Sequence, residues 1–239
     1  MKGYAKIAPY YDRFVNDDFY KTLLSYLSGK VIPLHGANFL DLGTGTGFFP
    51  IYYAKLGMRS VGIDKDKEMI KIAKGRAKDE ELDNIEFIHH NILSFKTNER
   101  FSYVTMFFDV LNHFHTPSDI SKLFSNVHEH LEDGGFFIFD ILSQWGMKKM
   151  WGNDKFYEYY DDFKILWVSQ WDSSKQCLTV TMKIFSGKQV IKETFIEKAY
   201  QRKTIEEKLA DAGFELQGVT PLFFFKRRPS RYLFHVKKI

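Results

Sequence analysis

The residues best suited to chemistry stand at the ends of two short apolar runs. Phe39-Leu40-Asp41-Leu42 breaks into Gly43-Thr44-Gly45-Thr46-Gly47, and Ser60-Val61-Gly62-Ile63 ends in Asp64. Glycine at every second position gives a tight strand-to-helix turn whose backbone can lie against a ligand, because no Cβ blocks the approach. The helix predicted from about Thr46 to Leu56 aims its N-terminal amides and positive dipole end at that turn, which favours an anionic group there. Asp64, one helix and one strand later, falls beside the turn in a βαβ unit, where a carboxylate can accept from both hydroxyls of a ribose. A helix N-cap or turn acid is its competing reading. The third glycine of a dinucleotide loop would have to stand at Phe48, which disfavours hydride transfer from a nicotinamide. A third candidate, His113, follows the apolar run Phe101 to Phe108, whose carboxyl end lies on the edge where doubly wound sheets bind ligands. An imidazole there can titrate near neutrality and serve as general base; a loop histidine that only packs or hydrogen-bonds is the alternative.

Asp41-Leu42-Gly43-Thr44-Gly45-Thr46-Gly47 resembles motif I of the class I methyltransferases that use S-adenosylmethionine, and the resemblance extends over most of the chain. Gly134-Gly135, read as a helix stop before a strand at Phe136–Asp140, looks like the segment that follows the motifs in that family. The likeness is closest to small-molecule N- and O-methyltransferases of the glycine and amino-sugar type. It implies cofactor contacts from Tyr11, Asp41, Gly43, Thr44, Gly45, Gly47, Asp64, Lys65, Met69, Asn91, Ile92 and Phe108, with His113 as the catalytic candidate. Tyr11-Asp12 stands where relatives carry a Tyr-Asp pair that folds over the cofactor. Asn91 replaces an acid that commonly binds the adenine amino group; its amide oxygen can accept the same bond without charge assistance. Ser102 stands where an Asp is usual.

The activity implied is methyl transfer to an N or O atom of a small molecule by in-line displacement, releasing S-adenosylhomocysteine. Alignment and desolvation carry such a reaction, and no metal is expected. His113-x-His115 and His128-x-His130 lack a cysteine or carboxylate at suitable spacing, and on a helix the second pair projects about 200° apart. Phe107-Phe108-Asp109-Val110 lacks the Asn/Asp-Pro-Pro-Tyr pattern of enzymes that methylate nucleic-acid amino groups. The basic end formed by Lys226-Arg227-Arg228, Arg231 and Lys237-Lys238 reads as a solvated face, so nucleic acid is not the expected partner. An RNA methyltransferase and a non-catalytic S-adenosylmethionine-binding regulator remain the alternatives.

These residues need an α/β scaffold. The resemblance implies a Rossmann-like, mostly parallel seven-stranded sheet with its last strand antiparallel and helices on both faces. With 239 residues, 44% hydrophobic and 27% charged, one domain suffices. Residues 1–35 form an N-terminal helical lid, 36–144 the cofactor-binding core, 145–200 an antiparallel β insertion roofing the site, and 201–239 a helix and hairpin completing the sheet. Within the insertion, alternation at Phe163, Ile165 and Trp167 and at Leu178, Val180 and Met182, with turns at Asp172–Lys175 and Ser186–Lys188, predicts three strands. Capping boxes are read at Thr116–Asp119 and Thr204–Glu207, and Asp66 is read as a helix cap. The net charge of +4 is mild, one cysteine excludes an internal disulfide, and no stretch approaches the roughly 18 apolar residues of a membrane span. A soluble cytoplasmic protein of open oligomeric state is expected.

Overall fold

The structure is a computed structural model that describes residues 4–15, 17–31, 36–222 and 228–239. Lys226 and Arg227 of the basic run lie outside the described residues. Two compact units divide the chain, Gly3–Thr105 and Met106–Ile239.

In the first unit a 3-10 turn, Ala8–Tyr10, leads into helices α1 (Tyr11–Phe14) and α2 (Asp17–Leu27). Then follow β1 (Asn38–Leu42), α3 (Phe48–Lys55), β2 (Arg59–Asp64), α4 (Lys67–Asp79), β3 (Ile85–His89) and β4 (Phe101–Met106). β1 pairs in parallel with β2 and with β4, and β2 pairs in parallel with β3. Parallel neighbours require crossovers, which α3 and α4 provide. α3 buries Phe49, Pro50, Ile51, Tyr53 and Ala54, and Tyr53 lies 4.4 Å from the Phe39 ring of β1. α4 is amphipathic, burying Met69, Ile70, Ala73 and Ala77. Asp66 caps it by accepting from the amides of Glu68 and Met69 at 3.0 and 3.4 Å. β4 stops at Met106, two residues short of the expected end, because Phe108 and Asp109 adopt φ of 60° and 53°, which no strand accommodates.

The second unit begins with a 3-10 turn, Val110–His113, then α5 (Pro117–His130) and β5 (Leu131–Leu142). Thr116 caps α5 by accepting from the Asp119 amide at 3.1 Å, as its spacing predicts. The helix ends at His130, not at Gly134-Gly135. His130 Nδ1 donates to the Asn126 carbonyl at 2.7 Å, Leu131 turns extended with its side chain fully buried, and Gly134 lies inside the strand. A short helix, α6 (Gln144–Gly146), precedes an antiparallel sheet of β6 (Asp154–Tyr159), β7 (Phe163–Asp172), β8 (Cys177–Ser186) and β9 (Gln189–Lys198). This sheet has four strands where three were expected. β6 escaped notice because it is an edge strand with Tyr157 and Tyr159 exposed and charges interleaved.

α7 (Arg202–Asp211), β10 (Phe214–Leu222) and β11 (Arg231–Lys238) complete the chain. α7 begins before the expected capping box: Gln201 is its N-cap without a side-chain bond, and Thr204 lies in the first turn. An Arg202–Glu206 pair at 2.6 Å supports that earlier start. The larger sheet has the order β10-β11-β5-β4-β1-β2-β3, and β11 runs antiparallel to both β5 and β10. Its aromatic core stacks Phe137 on Phe139 and Phe139 on Phe234, at 4.6 and 4.9 Å. No helix among the described residues is long and apolar enough to cross a membrane.

Phe87 of β3 fills the space under the glycine turn. A Cβ on Gly47, which has φ +85°, would lie 2.5 Å from Phe87 Cζ, and one on Gly62 would lie 2.7 Å from Phe87 Cδ1. Gly47→Ala therefore combines left-handed strain with overpacking and is expected to cost about 2 to 4 kcal/mol, read from the urea midpoint. A loss below about 0.5 kcal/mol, the scatter of surface substitutions, contradicts this packing argument.

Candidate functional site

The first unit builds a ligand-sized edge from the turn after β1. The amides of Gly43 and Thr44 both donate to the Ile63 carbonyl, at 2.8 and 3.0 Å, tying the turn to the end of β2. The Gly45 amide donates to Asp64 Oδ2 at 2.9 Å, and the Asp66 amide to Asp64 Oδ1 at 2.8 Å. Asp66 takes the capping role, so Asp64 is left to brace the turn with a second acceptor position open on each oxygen. Burial raises the Asp64 pKa, and the two amides oppose that rise. Gly45 differs from Gly47. At φ +54° a Cβ there would meet only Tyr11 Cε1, at 4.0 Å. The missing side chain thus leaves that side of the turn clear beside the first amides of α3, whose N-cap, Gly47, offers no side-chain bond.

Tyr11 packs edge-on against Tyr4 and Phe14, at 6.0 and 5.4 Å. Its neighbour Asp12 accepts from Thr46 Oγ1 at 2.6 Å and from Arg76 NH1 at 3.0 Å. Arg76 also donates to the Thr46 carbonyl at 3.3 Å. The N-terminal segment is thereby fastened to the turn by a cation from α4 that sequence reading did not single out.

The remaining predicted contacts divide. Asp41 is buried beneath the turn, accepts from Thr105 Oγ1 at 2.6 Å, and has its pKa raised to about 7. Burial is the main cause; the Thr105 and Thr44 hydroxyls lower the value, and the Asp64 charge raises it. Met69 and Ile92 are buried, whereas Lys65 is exposed and its carbonyl accepts from His89 Nε2 at 2.9 Å. Asn91 is exposed, and its Oδ1 already accepts from the Leu93 amide at 3.0 Å. One acceptor position of that oxygen is consumed by the turn.

A second cluster lies in the Met106–Ile239 unit, which also holds Phe108. Asp109, His113 and Glu197 offer ligand atoms within 4.8 Å of one another. Arg231 pairs with Asp140 and with Asp109, the latter at 2.7 Å, and the Asp109 amide faces the Asp140 carboxylate at 3.3 Å. Arg231 is 8% exposed, so it belongs to the interior and not to the expected solvated basic face. Lys238 is also engaged, donating to the Leu131 carbonyl at 2.9 Å. Burial and the Asp109 charge hold the Glu197 carboxyl well above the usual carboxylate range. Sequence reading missed Asp140, Glu197 and Arg231; only Asp140, an acid ending a buried run, carried a local signal. Tyr200 donates to the Phe114 carbonyl at 2.7 Å and borders an open cleft of about 540 Å³ with Gln144, Gln176 and Lys198.

Residues 39–135 match the family model described as a methyltransferase domain. The chain carries a methyltransferase domain. A Geobacillus sp. (strain WCH70) protein named as a methyltransferase is 27% identical over 228 residues, 92% of each chain. Among solved structures, an S-adenosylmethionine-dependent methyltransferase from Clostridium acetobutylicum ATCC 824 superposes with a TM-score of 0.83 over 98% of each chain at 22% identity. CalS10, an amino pentose methyltransferase from Micromonospora echinaspora, gives 0.72 at 14% identity, covering 100% of this chain and 98% of its own. The architecture is the class I methyltransferase fold, which these S-adenosylmethionine-dependent neighbours share. The bare turn at Gly45, the α3 amides and the Asp64 acceptors could hold an anionic group and a pair of hydroxyls.

Asp41 gives this methyltransferase a pH signature. Its folded pKa lies above the unfolded value of 3.8, so its contribution to stability is full below pH 4 and is lost as pH rises to about 7. The difference corresponds to roughly 4 kcal/mol. Asp41→Asn should therefore gain stability relative to wild type by that order between pH 4 and 7, measured by urea unfolding at each pH. A constant difference across the range contradicts the raised value.

Proposed function

We propose that this methyltransferase modifies an N or O atom of a small molecule, and that the turn after β1 with Asp64, Tyr11 and the start of α3 is its donor-binding site. The observation carrying this reading is the Gly45 amide bond to Asp64, which brings an acid with spare acceptor capacity against a turn left bare of side chains. In this assignment the α3 amides and Gly43 to Gly47 receive the carboxylate of the donor, and Asp64 receives the ribose hydroxyls. Met69, Asn91 and Ile92 border the adenine, with Lys65 and Asp41 supporting. S-adenosylmethionine supplies a methyl carbon already made electrophilic by its sulfonium. The protein's task is then alignment and exclusion of water, worth about 7 to 11 kcal/mol when reacting groups are well oriented. Tyr11, held by the Asp12–Thr46–Arg76 contacts, serves as the cover. No covalent nucleophile is required.

Two observations favour a small molecule over RNA. CalS10, similar over the full length, is named for an amino pentose. Arg231 and Lys238 of the basic end are engaged internally, which leaves fewer cations for phosphates. Methyl-labelled S-adenosylmethionine incubated with cell extract, then fractionated into metabolites, RNA and protein, tests the acceptor class: label is expected in metabolites, and label confined to RNA overturns the reading. Asp64→Ala is expected to weaken S-adenosylmethionine binding about 10- to 150-fold by calorimetry, the scale of hydrogen bonds to a charged acceptor. An unchanged dissociation constant removes Asp64 from the site.

A further inference from the structure

We propose that Asp109, His113 and Glu197 form a binding site for a divalent first-row metal ion of the Mn²⁺ or Zn²⁺ class. The three groups come from two distant segments. Asp109 and His113 are one turn apart, and Glu197 lies on β9. Asn112, fully buried between the two acidic segments, holds them in register. Its Nδ2 donates to the Lys198 carbonyl at 2.9 Å and its Oδ1 accepts from the Leu142 amide at 2.9 Å. The ligand atoms lie within 4.8 Å of one another, and bonds of about 2.0 to 2.2 Å to a common ion require them to draw together from that limit by about half an ångström or more.

The sharpest feature is Glu197. It is 8% exposed, and its Oε2 is buried with no hydrogen-bond partner among the described residues. A buried carboxylate oxygen left unsatisfied costs a full desolvation penalty, so such an atom calls for a counterpart. Charge points the same way. Asp109, Asp140 and Glu197 are three carboxylates, and Arg231 is one guanidinium paired with Asp140 and Asp109. When all are ionised the buried cluster carries an excess of two negative charges, which a divalent cation neutralises. One imidazole nitrogen with two carboxylates suits Mn²⁺ or Zn²⁺ better than the all-oxygen shell of Mg²⁺. Three protein ligands leave coordination positions open to water or to an oxygen donor. The sequence argued against a metal because neither His-x-His pair had carboxylates at local spacing. The fold recruits them from elsewhere, while His115 turns away to the Ile196 carbonyl at 2.9 Å. A nitrogen lone pair given to a metal is not available as a base, so this site reassigns His113.

The test uses the full chain, stripped with EDTA and titrated with MnCl₂, ZnCl₂ and MgCl₂ by calorimetry and thermal melting, independently of methyl transfer. Expected are one Mn²⁺ or Zn²⁺ ion per chain, a raised Tm, and electron-spin-echo coupling of Mn²⁺ to one imidazole nitrogen. Glu197→Gln should weaken binding at least about tenfold, and His113→Ala should remove the nitrogen coupling. The proposal fails if the wild-type chain shows no binding up to about 1 mM ion, an affinity too weak for a built site. It fails equally if Mn²⁺ binds without imidazole coupling, or if Glu197→Gln binds as tightly as wild type. Should Glu197→Gln not fold, the wild-type titration and spectrum decide alone.

Discussion

The hydrogen bond from the Gly45 amide to the Asp64 carboxylate is the constraint around which the first unit is arranged. It joins the turn after β1 to the end of the neighbouring strand, and it exists only because those strands are parallel and in register, Leu42 opposite Ile63. The bond stabilises a carboxylate that burial penalises, and it fixes the turn in the open form that Gly45 permits. Asp41 lies under the same turn and feels the charge of Asp64. Two acids near one another in low dielectric cannot both ionise cheaply. The structure separates their roles: Asp64 takes backbone amides and faces the open side, whereas Asp41 takes hydroxyls and stays inside.

The second unit meets the same difficulty with different means. Asp140 and Asp109 share Arg231, a buried arrangement whose Coulombic gain is largely offset by desolvation. Its value lies in geometry, since a planar guanidinium fixes both carboxylates relative to β11. Phe108 and Asp109 hold left-handed backbone conformations just after β4, and asparagine or aspartate tolerates that region better than phenylalanine does. Strain of this kind persists only where surrounding contacts overdetermine it. Asn112, satisfied at both ends, supplies such contacts.

What could be read in the sequence was what depends on near neighbours. The glycine alternation, the Asp66 and Thr116 caps and the hairpin turns at Asp172–Lys175 and Gly187 are local, and each appears where its residues predict. The seven-stranded sheet came from the family resemblance that the glycine motif carries. Errors arose where tertiary packing overrode a local cue. Gly134-Gly135 looks like a helix stop, yet burial of Leu131 begins the strand earlier. Thr204 looks like a cap, yet the helix starts at Arg202. The cluster around Asp109 was invisible for a stronger reason: Glu197 and Arg231 are brought to it by strand pairing across long separations, and no spacing rule encodes that. Arg76, one of many cations on an amphipathic helix, had nothing local to distinguish it.

The attachment of the N-terminal segment follows from magnitudes. Arg76 and Asp12 are 38% and 44% exposed at their side chains, so their ion pair contributes at most about 1 kcal/mol. The buried Thr46 hydroxyl adds a bond to the same carboxylate, again on the order of 1 kcal/mol. The turn beneath is far more firmly held, since its amides bond to β2 and its glycines fit Phe87. Under the proposed function this asymmetry is what a donor site requires. A rigid floor keeps the methyl carbon aligned, whereas the cover's polar fastenings to the turn are two modest bonds, its firmer anchorage being the burial of Ile7 and Ala8 in the core.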